Sequence, residues 1–215
     1  MSENLLATWR HIAEENSKAI VLPDGCRDLI QVCPPGEKPY WFVSSLDNQA
    51  RSVSLKAGSD VSGFRLKPGV RINQADLLGS LPDRPIETGE LSSRLDSFTS
   101  SKRAVQEALK CLATNAGSVA EVAGIIGVSQ RNLQRMLMRE TGRPPIFWVM
   151  LARVRNTARN LVNRTSLAET ADEFGYADQA HMSREFKRWF GASPAAFRQR
   201  PDLLVQVCAA GYATT

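Results

Sequence analysis

The sequence predicts a two-domain protein in which a small all-β domain, a barrel or a sandwich, precedes an all-α domain. Short apolar runs bounded by glycine and proline follow one another between residues 19 and 74, which is typical of a small β domain. From about residue 102 the apolar residues recur at helical spacing instead. Within that helical part, an eleven-residue pattern is repeated at an offset of 48 residues.

The predicted strands are apolar pieces of four to six residues, each followed by turn-forming residues. A short helix over residues 5–15 is predicted before them, because Leu5, Trp9 and Ile12 stand at helical spacing. Residues 1–87 are assigned to a sensor or oligomerisation domain, and the polar stretch 88–101 to a linker. The predicted strand runs are 19–22, 28–33, 40–43, 52–55 and 61–66.

Composition narrows the classes of protein. Residues 1–100 carry a net charge of −2 and residues 101–215 a net charge of +7, so the basic charge lies in the helical half, where it favours a polyanionic partner. Four cysteines without a CxxC pair and only two histidines, His11 and His181, argue against a zinc finger, a disulfide scaffold or a metal site. No cofactor and no membrane span are predicted, and the cysteine usage favours a reducing, cytoplasmic location.

The repeat predicts two helix-turn-helix units. Ser118 with Glu121, and Ser166 with Glu169, have the Ser-x-x-Glu spacing of a capping box at a helix start. Each copy ends at a glycine suited to a left-handed helix end. These glycines are Gly127 and Gly175.

The helix after each turn is expected to expose one polar face. Ser129 and Asp178 are the natural N-caps of these two helices. Arginine can place two donors on guanine and glutamine can bracket adenine, whereas Ser, Lys and a helix N-terminus suit phosphates. A solvated surface is the alternative for one such helix, but two in tandem favour DNA binding. The predicted DNA-binding residues are Ser129, Gln130, Arg131, Gln134, Arg135, Arg139, Asp178, Gln179, Ala180, His181, Ser183, Arg184 and Lys187.

Between the copies, Pro144-Pro145 predicts the start of a long connector helix that runs to about Asn163. Its apolar residues are expected to face both units, and Arg153, Arg155 and Arg159 to face outward or reach the DNA backbone. Residues 102–200 are assigned to the DNA-binding domain, and residues 201–215 to a loosely held tail.

Residues 102–199 resemble the AraC/XylS family of bacterial transcription regulators. The resemblance is carried by Phe174-Gly175-Tyr176, by the run from Met182 to Arg188 and by Phe190-Gly191-Ala192-Ser193-Pro194, with Leu133-Gln134-Arg135 in the first unit. It implies seven helices and two recognition helices in successive major-groove segments, separated by about 34 Å. The base-facing residues that it implies are Arg131, Gln134, Arg135, Gln179, Ala180, His181 and Ser183, with Arg184 nearer the DNA backbone.

The N-terminal half is similar to the cupin-like domain of one branch of these regulators, through residues 21–30 and 61–69. Such domains serve as effector pockets or dimerisation surfaces. Aromatic residues would bury apolar groups of an effector and arginines would bind an anion; the alternative is that Arg27, Asp28 and Arg65 form a surface ion network. The pocket residues predicted are Arg27, Asp28, Trp41, Phe42 and Arg65.

The sequence thus predicts a sequence-specific, double-stranded DNA-binding transcription regulator that is not an enzyme. Its predicted partners are DNA, a small-molecule effector, RNA polymerase and a second copy in a homodimer, without a membrane. Two alternatives remain open: a DNA-repair alkyltransferase-type regulator with Cys26 or Cys33 as the reactive thiol, and a non-specific architectural DNA binder.

Overall fold

The N-terminal half is rich in antiparallel sheet and also contains helices. The computed structural model describes residues 2–84, 86, 88–114, 118–161 and 166–214. None of the described helices has the length and apolar character required to span a bilayer. The elements of this half are β1 (Leu5–Ile12), β2 (Ser17–Val21), β3 (Asp28–Cys33), β4 (Tyr40–Val43), β5 (Arg51–Leu55), β6 (Asp60–Leu66), β7 (Arg71–Ile72), α1 (Gln74–Ser80), α2 (Thr88–Phe98) and β8 (Thr99–Ser100).

One antiparallel sheet has the strand order β1-β6-β3-β4, while β2 pairs with β5 and β7 pairs with β8. The core of this half lies between the first sheet and the helices α1 and α2. Leu29 and Leu66 from the sheet meet Leu77 of α1 and Leu95 of α2, and all four are almost completely buried. The half is therefore sheet-rich rather than all-β, because helices cover the apolar face of its sheet.

The predicted helix over residues 5–15 is wrong, because residues 5–12 form the strand β1 and the rest is not helical. Its register with β6 runs from Leu5 opposite Leu66 to Ile12 opposite Asp60. Trp9 lies over Gly63, where a Cβ would stand 2.0 Å from the indole ring, and its Nε1 donates a hydrogen bond to Asp28 at 2.9 Å. Apolar spacing over two or three turns is weak evidence, and pairing with a neighbouring strand overrides it.

The stretch predicted as a linker, residues 88–101, instead contains the helix α2 and the strand β8. Leu91 and Leu95 of α2 are fully buried in the N-terminal core. Apart from these two leucines and Phe98 the stretch is mostly polar, so its apolar stripe was obscured by the neighbouring residues. Residue 87, the predicted domain boundary, lies outside the described residues.

The C-terminal half is helical and has its own core. Trp148, Leu151 and Val154 of the connector helix are fully buried at its centre. The predicted end of that helix near Asn163 lies outside the described part of the chain. The described helices of the C-terminal half are α3 (Arg103–Thr114), α4 (Val119–Ile125), α5 (Gln130–Thr141), α6 (Pro145–Asn160), α7 (Leu167–Glu173), α8 (Gln179–Phe190), α9 (Pro194–Arg198) and α10 (Pro201–Cys208).

The tail predicted to be loosely held is docked against both halves. It forms α10, with Leu203 and Val207 buried in the helical core, and continues to Tyr212, which is 3% exposed. The backbone N–H of Tyr212 donates to Asp24 O at 2.7 Å, and its hydroxyl donates to Leu109 O at 3.0 Å. Burial of these apolar residues in the helical core stabilises the docked tail.

Arg155 of α6 was expected to face outward, but it is fully buried between the halves. Its guanidinium donates to the carbonyl oxygens of Tyr212 at 3.0 Å, Val207 at 3.1 Å and Pro23 at 3.3 Å. Burial lowers the pKa of Arg155 to about 10. A guanidinium has five donors, so one buried arginine can satisfy carbonyls from the tail and from the N-terminal half together.

Candidate nucleic-acid interface

The first repeat copy folds as α4, a turn and α5. Ser118 accepts a hydrogen bond from the N–H of Glu121 at 3.2 Å, and the Glu121 carboxylate accepts one from the N–H of Ser118 at 2.9 Å. Gly127 has φ +70° and reverses the chain, after which Ser129 accepts from the N–H of Asn132 at 3.2 Å. Capping of both helix starts therefore defines the turn between α4 and α5.

The second copy, α7 and α8, repeats the serine cap and the glycine turn of the first. Ser166 accepts from the N–H of Glu169 at 3.2 Å, and Gly175 has φ +69°. The same backbone bond closes each turn, because Val128 N–H donates to Ala123 O and Tyr176 N–H donates to Ala171 O, both at 2.9 Å. The sequence repeat is thus a structural repeat.

On α5 the apolar and polar residues lie on separate faces. Leu133 and Leu137 are fully buried, whereas the predicted DNA-binding residues are all exposed. A concave surface beside this helix is lined by Arg131, Gln134, Arg135, Gln130 and Met138, the last of which the sequence analysis missed. The exposed predicted residues are Ser129, Gln130, Arg131, Gln134, Arg135 and Arg139.

Ion pairs at the end of α5 orient one of its arginines. Arg139 Nε lies 2.7 Å from Glu140 Oε1, and Lys102 Nζ lies 2.7 Å from the same oxygen. The hydrogen bonds from Lys102 and Arg139 hold the pKa of the Glu140 carboxyl below its usual value. Arg139 is therefore partly neutralised. Arg131 and Gln134 have no polar partner within the described part of the chain.

On α8 the buried face is formed by Met182, Phe186, Trp189 and Phe190. Asp178 caps the helix and accepts from the N–H of His181 at 2.6 Å. The predicted DNA-binding residues are exposed or half-buried on the remaining surface. Asp178, Gln179, Ala180, Arg184 and Lys187 are exposed, and His181 and Ser183 are half-buried.

His181 is held in place by its own turn. Its Nδ1 accepts a hydrogen bond from the N–H of Ala177 at 3.2 Å, and its ring lies edge-on to Tyr176 with centroids 5.5 Å apart. In the neutral ring the proton then lies on Nε2, which is left to donate. With this proton on Nε2, His181 is suited to donate to a groove or phosphate acceptor. Among the described residues, no group of metal-ligating side chains is placed to hold an ion.

The five predicted pocket residues do not line one cavity. Arg65 forms ion pairs with Asp28 at 3.0 Å and Asp24 at 2.9 Å. Trp41 packs against Phe64 in the core and donates from Nε1 to Pro82 O at 3.0 Å. Phe42, the next residue on the strand, lies on the opposite face of the sheet.

Arg27 lies apart from the other four, in a crevice between the halves. The crevice has a volume of about 260 Å³, and Lys67 and Arg71, missed in the sequence analysis, lie with Arg27 in its wall. Residues 140–142, at the end of α5, line its other side. These segments are far apart in the sequence, which therefore did not predict that they lie together.

Neither candidate reactive cysteine is activated. Burial raises the pKa of the Cys26 thiol well above its ordinary value, and burial also raises the pKa of Cys33. Since the thiolate is the nucleophile, both shifts oppose reactivity.

The arrangement of the helices defines the class of protein. Helix pairs α4–α5 and α7–α8, packed on the connector α6, form a tandem helix-turn-helix domain. Residues 122–200 match a family model described as a helix-turn-helix domain. Over this domain the chain is similar to transcription regulators, one of which is named AraC-like.

Named relatives agree with this assignment over the helical half. The chain is 35% identical over 95 residues to the HTH-type transcriptional regulator RipA of Corynebacterium glutamicum, which is 44% of this chain and 29% of that protein. It is 32% identical over 85 residues to an AraC-like transcription regulator of Streptomyces antibioticus, 39% of this chain and 28% of the relative. The matched part spans less than one third of either relative.

A likeness in fold extends over both halves. The structure of ToxT from Vibrio cholerae superposes with a TM-score of 0.52 at 9% identity, over 91% of this chain and 98% of the ToxT chain. At this identity the likeness concerns the fold alone, a sheet-rich N-terminal part followed by a helical C-terminal part.

Proposed function

We propose that this protein binds double-stranded DNA at chosen sequences and regulates transcription, with α5 and α8 in successive segments of the major groove. The observation that carries the proposal is the structural repeat: each unit exposes the polar face of its second helix and buries the apolar face on the common core. Recognition helices of this kind read base edges in the major groove.

The residues divide into two roles. One set of residues on α5 and α8 is assigned to base edges, where arginine and glutamine can each make paired hydrogen bonds. Residues at the helix starts and on the flanks are assigned to phosphates, which position the protein. The base-facing set is Arg131, Gln134, Arg135, Gln179, Ala180, His181 and Ser183. The phosphate-facing set is Ser129, Gln130, Arg139, Arg184 and Lys187, while Asp178 is assigned to the interface as the N-cap that fixes the start of α8.

We also infer a division of labour along the chain. Residues 102–200 would be the seven-helix DNA-binding domain, and the described helices between Arg103 and Arg198 support this. The part before residue 102 would be a cupin-like sensor or dimerisation domain that extends beyond residue 87 through α2. The crevice lined by Arg27, Lys67 and Arg71 supports an anionic effector more than the five predicted pocket residues do. A homodimer, RNA polymerase as partner and a cytoplasmic location remain predictions.

The alternatives predict different behaviour. An alkyltransferase needs an available thiolate, and the raised pKa values of Cys26 and Cys33 oppose this. Unmodified Cys26 and Cys33 in mass spectra after treatment with a methylating agent would exclude it. An architectural binder would show the same affinity for every duplex at fixed salt.

Selection of bound duplexes from a random library, with and without candidate anionic small molecules, tests the proposal. We expect a bipartite sequence whose two parts are about one helical turn apart. Selection of no common sequence would contradict sequence-specific regulation. A shift in the selected set with a small molecule would identify an effector.

A further inference from the structure

The loop between β4 and β5, residues 44–50, touches the end of both candidate recognition helices. The guanidinium of Arg143, two residues beyond the end of α5, donates to the carbonyl oxygen of Leu46. At the other end of the loop, the N–H of Ala50 donates to the carbonyl oxygen of Trp189 at 2.7 Å. Trp189 belongs to the last turn of α8, where helix carbonyls lack partners inside the helix.

Aromatic contacts connect Arg143 to Trp189, so that the contacts of the loop with the two helix ends form a closed ring. The Arg143 guanidinium lies over the Phe147 ring, 5.0 Å from its centroid. Phe147 in turn packs on Trp189, with ring centroids 5.4 Å apart and an interplanar angle of 54°. The path therefore runs from the loop to α5, across the start of the connector α6 to α8, and back to the loop.

The loop is itself anchored to the N-terminal half. Asp47 forms an ion pair with Arg51 of β5 at 2.7 Å. The N–H of Ser44 donates to Asp28 O at 2.8 Å, and the Ser44 hydroxyl oxygen accepts from the N–H of Asp28 in β3 at 2.7 Å. Leu46 and Ala50 also pack against the helical core. A loop fixed at its base and bonded at both helix ends can transmit the position of the sheet domain to both units.

We propose that the loop of residues 44–50 is a positioning element that sets the placement of α5 relative to α8, and with it the half-site spacing that the protein accepts. The inference rests on the proposed function. Two linked helix-turn-helix units gain affinity from each other only when both can bind DNA at once. A change in their relative placement therefore affects binding of the pair and not binding of either unit alone.

The test compares three duplexes built from the selected sequence: both half-sites at native spacing, both with one base pair inserted between them, and a single half-site. Arg143→Met should lower affinity for the native duplex about tenfold and leave the single half-site unchanged, because it reduces avidity alone. The variant should also lose less affinity than the wild type when one base pair is inserted between the half-sites. Ala50→Pro, which removes the N–H donor without changing charge, should act in the same way.

Controls separate this role from charge and from folding. Arg10→Met removes one positive charge from the exposed ion pair between Arg10 of β1 and Asp60 of β6, and it should leave all three affinities unchanged. Each variant is used only if its thermal unfolding transition matches that of the wild type, and Arg143→Lys should restore part of the spacing preference.

Two results would overturn the inference. Equal losses on the native duplex and on the single half-site would make Arg143 a DNA contact, and an unchanged penalty for the inserted base pair would show that the loop does not set spacing. Failure of the wild-type protein to select any sequence would instead contradict the proposed function.

Discussion

The guanidinium of Arg155 donates through Nε to the carbonyl oxygen of Tyr212 at 3.0 Å, although the two residues are 57 positions apart in the chain. Its other donors reach the tail again and the loop before β3, at Pro23. Arg155 is thus the point where α6, the tail and the N-terminal half meet.

Arg155→Met should lower the free energy of unfolding by about 1–3 kcal/mol, because methionine fills the space but leaves buried carbonyl groups without donors. Urea-induced unfolding measures the change. Arg10→Met is the matched control, since that arginine is exposed, and it should leave the urea midpoint unchanged. Equal midpoints for Arg155→Met and the wild type would show that the buried hydrogen bonds add nothing to stability.

Gly63→Ala should be destabilising by about 1–3 kcal/mol, because the added methyl group overlaps the Trp9 indole. A Cβ at position 63 would stand 2.0 Å from that ring. Gly79→Ala in α1 is the control: its Cβ would meet nothing within 4 Å, so the change should stabilise the helix by about 0.5–1 kcal/mol. Thermal unfolding should therefore shift in opposite directions for the two variants.

Arg135→Ala should weaken binding to the selected duplex by about 1–3 kcal/mol while affinity for random duplex changes little, if this arginine reads a base. The side chain is exposed on α5 and its Nη2 donates to Asn132 Oδ1 at 3.1 Å. Competition titrations at fixed salt measure both affinities. A matched loss on random duplex would reassign Arg135 to a phosphate.

Lys187→Gln should weaken binding to the selected duplex and to random duplex about equally, unlike Arg135→Ala. As a phosphate contact on the exposed side of α8, Lys187 should contribute about equally to all duplexes, and its loss should reduce the slope of log affinity against log salt by about 1. Titrations at several salt concentrations give the slope. An unchanged slope with altered sequence preference would place Lys187 on a base.

Stability should fall as the pH rises above 10. Burial raises the pKa of Tyr176 from 10.0 to about 12, so the folded state keeps the phenol proton while the unfolded state releases it. The stabilising effect is complete below pH 10 and is lost as the pH rises towards the folded value, by about 2–3 kcal/mol in all. Tyr176→Phe should remove this part of the alkaline slope in unfolding titrations. A slope identical to that of the wild type would contradict the shift.

The helical half was predictable because its signals are local. Ser129, Asp178, Gly127 and Gly175 act through bonds or backbone angles within a few residues, and the 48-residue repeat presents each signal twice. The N-terminal half was less predictable, since its strands and helices depend on partners far away in sequence. The strand β1 forms because β6 offers hydrogen bonds and Gly63 leaves room for Trp9.

In the candidate interface, too, the features that depend on local sequence could be predicted and those that depend on distant residues could not. Which face of α5 or α8 is exposed follows from periodicity, so Arg131 and Lys187 could be placed from sequence. The grouping of Arg27 with Lys67 and Arg71, and the contact of Leu46 with Arg143, arise only when the two halves dock. No local pattern encodes such contacts.

The position of Tyr212 also bears on how the protein is made. Its backbone and hydroxyl bonds to Asp24 and Leu109 join segments that leave the ribosome long before it does. Because domains generally fold as units during synthesis, each half can form early, but their docking has to await translation of this tyrosine. The full set of contacts between the two halves is therefore complete only after Tyr212 has been synthesised.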